Sequence, residues 1–336
     1  MRSDDAGSEG PRLRVRVLVA VLVAAVVAGG LVLLHRWDPG RGGDFDQLWA
    51  AARAVLDGGD PYREAASRWP WPLYYPMPAV LLALPFALVP VEIARVLFAS
   101  LSAGLLAFAV TKEHWWRLGI VLSGAMFYAV IVQQMNPLLV AVAFLPRLAG
   151  LLVVKPPSGL ALWLAYPSRS AVVGGLALLA VSFVVNPAWL QGWWAAVGDA
   201  PHITAPVLMP GGAVVLLAVI RWRDPSARLL LALGFVPQNI LPHETLALLT
   251  IPRSAREMAL LAMTSWGSLL YMGYAQRPEP SIHLLIATAW PGLLVGTYLP
   301  ALLLVIYRRR ASAGGSLANS PRLCHQHKES GARRSV

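Results

Sequence analysis

Long apolar runs recur along almost the whole chain, and this pattern limits the possible folds more than any other feature. The first run, VLVAVLVAAVVAGGLVLL at residues 17–34, is long enough to cross a lipid bilayer. Only 13% of the 336 residues are charged, whereas a soluble domain is nearer a quarter charged. Backbone N–H and C=O groups inside lipid must be satisfied within the protein, which favours helices. We therefore predict an all-α polytopic membrane protein with about 9–11 transmembrane helices; the alternative is a large soluble helical protein.

The basic residues predict the orientation of the chain in the membrane. The net charge is +11, but most Lys and Arg residues lie in the breaks between apolar runs, as the positive-inside rule expects. They do not indicate a nucleic-acid partner. Residues 1–16 and a disordered basic tail at 307–336 are predicted to be cytoplasmic, with the tail in contact with anionic membrane lipids. Residues 17–306 are predicted to form one transmembrane domain with an outer loop at 35–75. The one cysteine, Cys324, rules out an intramolecular disulfide and a thiolate metal cluster.

The stretch at residues 137–169 has two possible interpretations. It is too short for three full spans, since each needs about 20 residues. It forms either one span and a cytoplasmic segment, or several half-helices broken at Pro146 and Pro156. Broken helices at membrane depth line a cavity.

Acidic side chains concentrate in the first outer loop. The chain has 17 Asp and Glu residues, almost none of them inside an apolar run. That distribution argues against a proton or ion relay, which would need carboxylates at membrane depth, and favours chemistry or binding at the outer face. The acidic residues of this loop are Asp38, Asp44, Asp46, Asp57, Asp60 and Glu64.

Residues 44–56 carry apolar side chains at three- and four-residue spacing, which predicts an amphipathic helix lying on the membrane. Gly58 and the glycine after it are its expected end. Asp44 stands at the position of an N-cap, so its side chain either caps the helix or is free for chemistry. Asp46, in the first turn, suits the helix dipole.

A series of short motifs then resembles one family. In order, they are DF at 44–45, AARAVLDGGDPY at 51–62, YYPMP at 74–78, LPFALVP at 84–90, QQMNPLL at 133–139, VVKPPSGL at 153–160 and LPHETLALL at 241–249. This order resembles that of the polyprenyl-phosphate-sugar-dependent membrane glycosyltransferases of family 87, in the GT-C fold class. The resemblance covers about residues 44–252.

The resemblance implies a GT-C-like bundle in a bacterial plasma membrane that transfers a hexose, with mannose expected. The donor would be a polyprenyl phosphate sugar and the acceptor a lipid or glycan outside the cytoplasm. Asp44 would be the general base, and Lys155 and His243 would face the leaving phosphate. No cofactor is required; a divalent ion is an open alternative, because Asp44 and Asp46 loosely resemble a metal-binding acidic pair. The other substrate-binding positions implied are Asp46, Tyr75, Gln134, Asn136 and Glu244.

Each of these residues also has a structural interpretation. Lys155 could mark the cytoplasmic end of a span, and the chain between the QMN and KPP motifs is shorter than is usual in the family. Gln134 and Asn136 could cap a helix, and the His243–Glu244 pair could begin one. Tyr75 could belong to an interfacial aromatic belt. For the whole protein, the alternatives are a lipid transporter or flippase and a catalytically degenerate family member.

Overall fold

A computed structural model of the protein describes residues 12–68, 72–198, 203–275 and 282–308. The chain divides into a large unit, Met1–Ile306, and a C-terminal unit, Tyr307–Val336. Residues 1–11 and 309–336 lie outside the described residues. The prediction of a disordered, lipid-contacting tail falls mostly on these residues, and so does Cys324. The described part of the large unit is mostly helical, as the sequence predicts.

Helices account for nearly all regular structure in the described residues. The α-helices, numbered in chain order, are α1 Leu13–Trp37, α2 Phe45–Leu56, α3 Pro61–Arg68, α4 Met77–Ala83, α5 Val91–Val110, α6 Gly124–Ile131, α7 Asn136–Ala143, α8 Pro156–Ala165, α9 Arg169–Val185, α10 Trp189–Gly198, α11 Pro225–Phe235, α12 Ala255–Ala275, α13 Ile282–Leu293 and α14 Leu299–Ile306. The 3₁₀ segments are Phe86–Leu88, Trp115–Leu122, Pro146–Val154, Pro206–Leu208, Gly212–Arg221 and Pro242–Thr250, and a π-helical turn, Leu294–Tyr298, joins α13 to α14. Two short strands, Ile203–Thr204 and Gln238–Asn239, pair antiparallel.

Three helices in the described ranges are long and apolar enough to cross a membrane: α1, α5 and the segment Thr288–Ile306. The bent pair of α9 and α10, which meet at 102°, raises the number to four if it counts as one span. The sequence predicts about 9–11 crossings. Several of the other apolar runs fold instead as pieces of ten residues or fewer, such as Trp115–Leu122 and α6.

The region of residues 137–169 folds as the second of its two predicted alternatives. Helix α7 ends at Ala143, a 3₁₀ segment covers Pro146–Val154, and α8 begins at Pro156. Each proline stands at the first position of its segment, where the missing N–H has no helical partner to lose. The half-helices broken at Pro146 and Pro156 are therefore confirmed.

Helix α2 forms where predicted, but it does not lie on the molecular surface. Eight of its 12 residues are buried, including the polar Asp46 and Gln47. Gly58, with a positive φ of 80°, follows its end as expected. The prediction of a surface-lying helix is wrong because most of α2 packs inside the protein, where Asp46 pairs with Arg95.

Candidate functional site

Seven of the eight predicted site residues meet in one polar cluster, which we call the polar network. They come from five separate segments of the chain, each of which ends or begins a helix at this point. Its members are Asp44, Tyr75, Gln134, Asn136, Lys155, His243 and Glu244. The eighth predicted residue, Asp46, lies apart from this network and binds Arg95 instead.

Gln134 is the centre of the half of the network that contacts Asp44. Its Oε1 accepts hydrogen bonds from Tyr75 Oη at 3.0 Å, Lys155 Nζ at 3.1 Å and the Met135 amide at 3.3 Å. Its Nε2 donates to Oδ2 of Asp44. Because three donors converge on the oxygen, the amide can present only its nitrogen to the carboxylate.

Lys155 and Glu244 are the centre of the other half. Lys155 Nζ lies 2.7 Å from Glu244 Oε1 and donates to Asn136 Oδ1 at 2.8 Å. Glu244 Oε2 accepts from Asn136 Nδ2 at 3.0 Å and from Ser158 Oγ at 2.8 Å. Burial alone would raise the pKa of Glu244, but the charge of Lys155 and the hydrogen bond from it hold the pKa below its ordinary range. Glu244 therefore stays ionised as the counter-ion of Lys155.

His243 is fully buried beside this pair. Its Nε2 lies 3.3 Å from Glu244 Oε1, and its ring stacks on that of Tyr128, with centroids 5.7 Å apart and planes 3° from parallel. Within the described residues neither ring nitrogen of His243 has a hydrogen-bond partner. His243 is thus the member of the network whose polar atoms make no hydrogen bond.

Asp44 is the least buried residue of the network. It is partly exposed, whereas the other six members are at most 7% exposed. Its side chain does not cap α2, so the N-cap interpretation is wrong for the carboxylate. Burial against the network raises the pKa of Asp44, while His243, Gln134 and Lys155 act in the opposite direction. The result is a carboxylate that is a stronger base than that of an ordinary aspartate.

The backbone around Asp44 is held by a close approach of two loops. The Asp44 amide donates to Val132 O at 2.8 Å. Gln133 has a φ of 49°, the left-handed region that side chains other than glycine rarely adopt. A Cβ on Gly43 would overlap the Gln133 side chain, so glycine at 43 is what allows the two loops to touch. This contact brings Asp44 and Gln134 together.

His243 and Glu244 do begin a helical segment, Pro242–Thr250, as their structural interpretation has it, but the structural interpretations of Lys155, Tyr75 and Asn136 do not fit their positions. Lys155 is buried and ion-paired, so it does not mark a solvent-exposed end of a span. Tyr75 directs its hydroxyl into the network and not toward a membrane interface. Asn136 does begin α7, but its side chain bonds Lys155 and Glu244 and does not cap the helix.

Sequence reasoning missed three residues that contact the predicted ones: Arg95, Ser158 and Tyr128. Arg95 carried a usable signal, because it is the one basic residue in the apolar run 91–110 and such a charge needs a partner. Ser158 follows Lys155 by three residues, the spacing at which side chains at a helix start share one face. Nothing in the sequence pointed to Tyr128.

An apolar cavity of about 390 Å³ lies beside the network, between Pro146–Val154, α8 and α9. Trp163 and Leu176 are among its walls, and no network member lines it. No cluster of three or more His, Cys, Asp or Glu side chains suited to a metal ion occurs among the described residues.

Comparison of the chain with protein-family models, curated proteins and solved structures gave no match.

Proposed function

We propose that this protein is an integral membrane glycosyltransferase of the GT-C class. It would move a hexose, with mannose as the expected sugar, from polyprenyl phosphate to a lipid or glycan acceptor at the extracytoplasmic face of a bacterial plasma membrane. The observation that carries the proposal is the position of Asp44. Asp44 is a partly exposed residue with a raised pKa. The buried network joins it to residues of the motifs QQMNPLL, VVKPPSGL and LPHETLALL.

Asp44 acts as the general base. A hydroxyl is a weak nucleophile at neutral pH, so a positioned carboxylate that accepts its proton speeds the attack. The acceptor oxygen bonds to the anomeric carbon as the bond from that carbon to the phosphate oxygen breaks. The polyprenyl phosphate leaves with the bonding electrons, the proton resides on Asp44, and the anomeric configuration inverts.

His243 is the candidate that faces the developing charge of the phosphate. An ammonium group has three N–H donors, and those of Lys155 are directed to Gln134, Asn136 and Glu244. The lysine therefore supports the network. His243 is fully buried, so its ring reaches an oxyanion only if substrate binding uncovers it. A neutral imidazole has one N–H, and with that proton on Nδ1 the ring would donate to the oxyanion and stabilise the transition state.

The test is transfer of radiolabelled mannose from polyprenyl phosphate to a lipid extract by the purified protein. Asp44→Asn is expected to lower kcat by about 10²- to 10⁴-fold, the usual contribution of a general base. Asp57→Asn, at an exposed aspartate after α2, is the matched control and is expected to retain the wild-type rate. Equal rates for the wild type and Asp44→Asn would refute the role of Asp44. Movement of the donor between leaflets without transfer would favour a flippase instead.

A further inference from the structure

Arg95 and Asp46 form a buried ion pair that the proposed chemistry does not use. Arg95 Nε and Nη2 each lie 2.5 Å from one carboxylate oxygen of Asp46. Arg95 is 8% exposed and Asp46 5%. Both oxygens of Asp46 are thus taken by the guanidinium, so this residue is not available to bind a substrate or a metal ion.

The same pair also holds the backbone on both sides of Asp44. Arg95 Nη1 donates to Arg41 O at 3.1 Å, and Asp46 Oδ2 accepts from the Gly43 amide at 3.3 Å. The Asp46 amide in turn donates to Gly43 O at 3.0 Å. Residues 41–46 are therefore fixed to the first turns of α5 at two points, with Asp44 between them.

An aromatic contact one turn further along α5 completes this attachment. Phe98 lies three residues after Arg95 and so shares its face of the helix. Its ring stacks on that of Phe45 at 4.3 Å between centroids and 14° between planes. Phe86 packs against both rings edge-on. The two residues that follow Asp44 are thus each bound to α5.

Stability alone gives a weak reason for such a pair. Removing two charges from water costs about as much as their attraction returns, and apolar residues of the same size often serve as well. The bidentate geometry instead fixes orientation, because a planar guanidinium and a carboxylate meet in one alignment.

We infer that Arg95 and Asp46 are positioning residues that hold the 41–46 segment, and with it the Asp44 carboxylate, in the orientation needed for catalysis. The inference rests on the proposed function of Asp44. It assigns Asp46 a role other than the substrate binding that the family resemblance implies.

Hydrogen exchange measured by mass spectrometry tests the positioning without any assay of activity. Arg95→Lys keeps the charge and loses the two-point contact. We expect the amides of residues 43–46 to exchange at least tenfold faster in this variant and in Asp46→Asn. Arg253→Lys is the matched control, because Arg253 pairs with both oxygens of Asp224 at an exposed site. Unchanged exchange at 43–46 in both test variants would overturn the inference, whatever their activity.

Kinetics then test whether the positioning matters for transfer. A displacement of the base by about 1 Å can cost a factor near 10², so we expect Arg95→Lys to lower kcat by about 10- to 100-fold and KM to change less than twofold. In Arg95→Lys, a rise in KM with kcat unchanged would show that Asp46 contacts substrate and would overturn the inference. Faster hydrogen exchange at residues 43–46 with unchanged kinetics would overturn it as well. A wild-type protein that transfers no sugar contradicts the proposed function, while the exchange data still decide whether the pair holds the segment.

Discussion

At the scale of single residues, the orientation of the Gln134 amide determines which atom contacts Asp44, the proposed base. Gln134 presents its nitrogen to Asp44 because its oxygen accepts from Tyr75, Lys155 and the Met135 amide. Gln134→Glu keeps the shape of the side chain and replaces that donor with a carboxylate oxygen. Two neighbouring carboxylates resist ionising together, which raises the pKa of one of them.

We therefore predict a changed pH dependence for Gln134→Glu. Asp44 must be ionised to accept a proton, so the rate rises with pH through its pKa, which in the wild type already lies above the ordinary aspartate value. In Gln134→Glu this acidic limb moves to higher pH. Once the pKa of Asp44 exceeds the assay pH, each further rise of the pKa by one lowers the rate about tenfold. The measurement is kcat/KM for mannose transfer from about pH 4 to about pH 9, a range that spans the carboxylate and histidine pKa values.

Gln191→Glu provides the same chemical change at an exposed position on α10 and is expected to leave the profile in place. An acidic limb at the same pH in Gln134→Glu and the wild type would mean that Gln134 does not contact the base. The prediction would then be wrong, even with the transfer reaction established.

For single residues, the sequence indicated which polar side chains belong to the site. It did not indicate which side chains those residues contact. Lys155 and Glu244 were expected at the site because the family resemblance implies them. They are far apart along the chain, and their contact depends on tertiary structure that no local spacing encodes. For the same reason Asp46 was expected at the substrate and lies instead against Arg95.

At the scale of elements, the Lys155–Glu244 pair joins the start of α8 to the segment Pro242–Thr250. Removing one partner of a buried ion pair leaves an uncompensated charge, which costs about 3–5 kcal/mol. We predict a loss of that order in the free energy of unfolding of Lys155→Met, measured by denaturant titration in detergent. The double variant Lys155→Met/Glu244→Leu, which leaves no buried charge at the pair, is expected to be more stable than Lys155→Met alone.

If the double variant were no more stable than the single one, the cost would come from lost packing at α8 and not from the unpaired carboxylate. The pH dependence gives a second check. The folded pKa of Glu244 lies below its unfolded value, so this residue contributes stability above the unfolded pKa, near about 4.3. That contribution is lost as the pH falls from there through the folded pKa.

The elements themselves were predictable where a local breaker stands in the sequence. Pro146 and Pro156 mark the half-helices, and Gly58 marks the end of α2. The apolar run at residues 118–134 is divided at Ser123, whose hydroxyl accepts a hydrogen bond from the Met126 amide at 3.1 Å and caps α6. A serine inside an apolar run is too common a residue to predict such a break.

At the scale of the whole molecule, helix α5 is long and apolar enough to cross a membrane and would then separate its two sides. Its 20 residues extend about 30 Å, the thickness of the hydrocarbon core. Arg95, near its start, bonds Arg41, and Lys112 is exposed two residues after its end. If α5 crosses the membrane, residues near 41 and residue 112 must lie on opposite faces.

Cysteine labelling tests this arrangement in intact cells, in a Cys324→Ser background that removes the one natural cysteine. Gly40→Cys has open space around its Cβ, and Lys112→Cys stands at an exposed turn, so both substitutions should leave the fold intact. We predict that a membrane-impermeant maleimide labels the Gly40→Cys variant in intact cells and the Lys112→Cys variant only after permeabilisation. The positive-inside rule gives the direction, because the turn after α5 carries Lys112 and Arg117. Labelling of both variants from outside would mean that α5 does not cross. The reverse pattern would put Asp44 on the cytoplasmic face, away from an acceptor outside the cell, and the proposed transfer at that face would have to be given up.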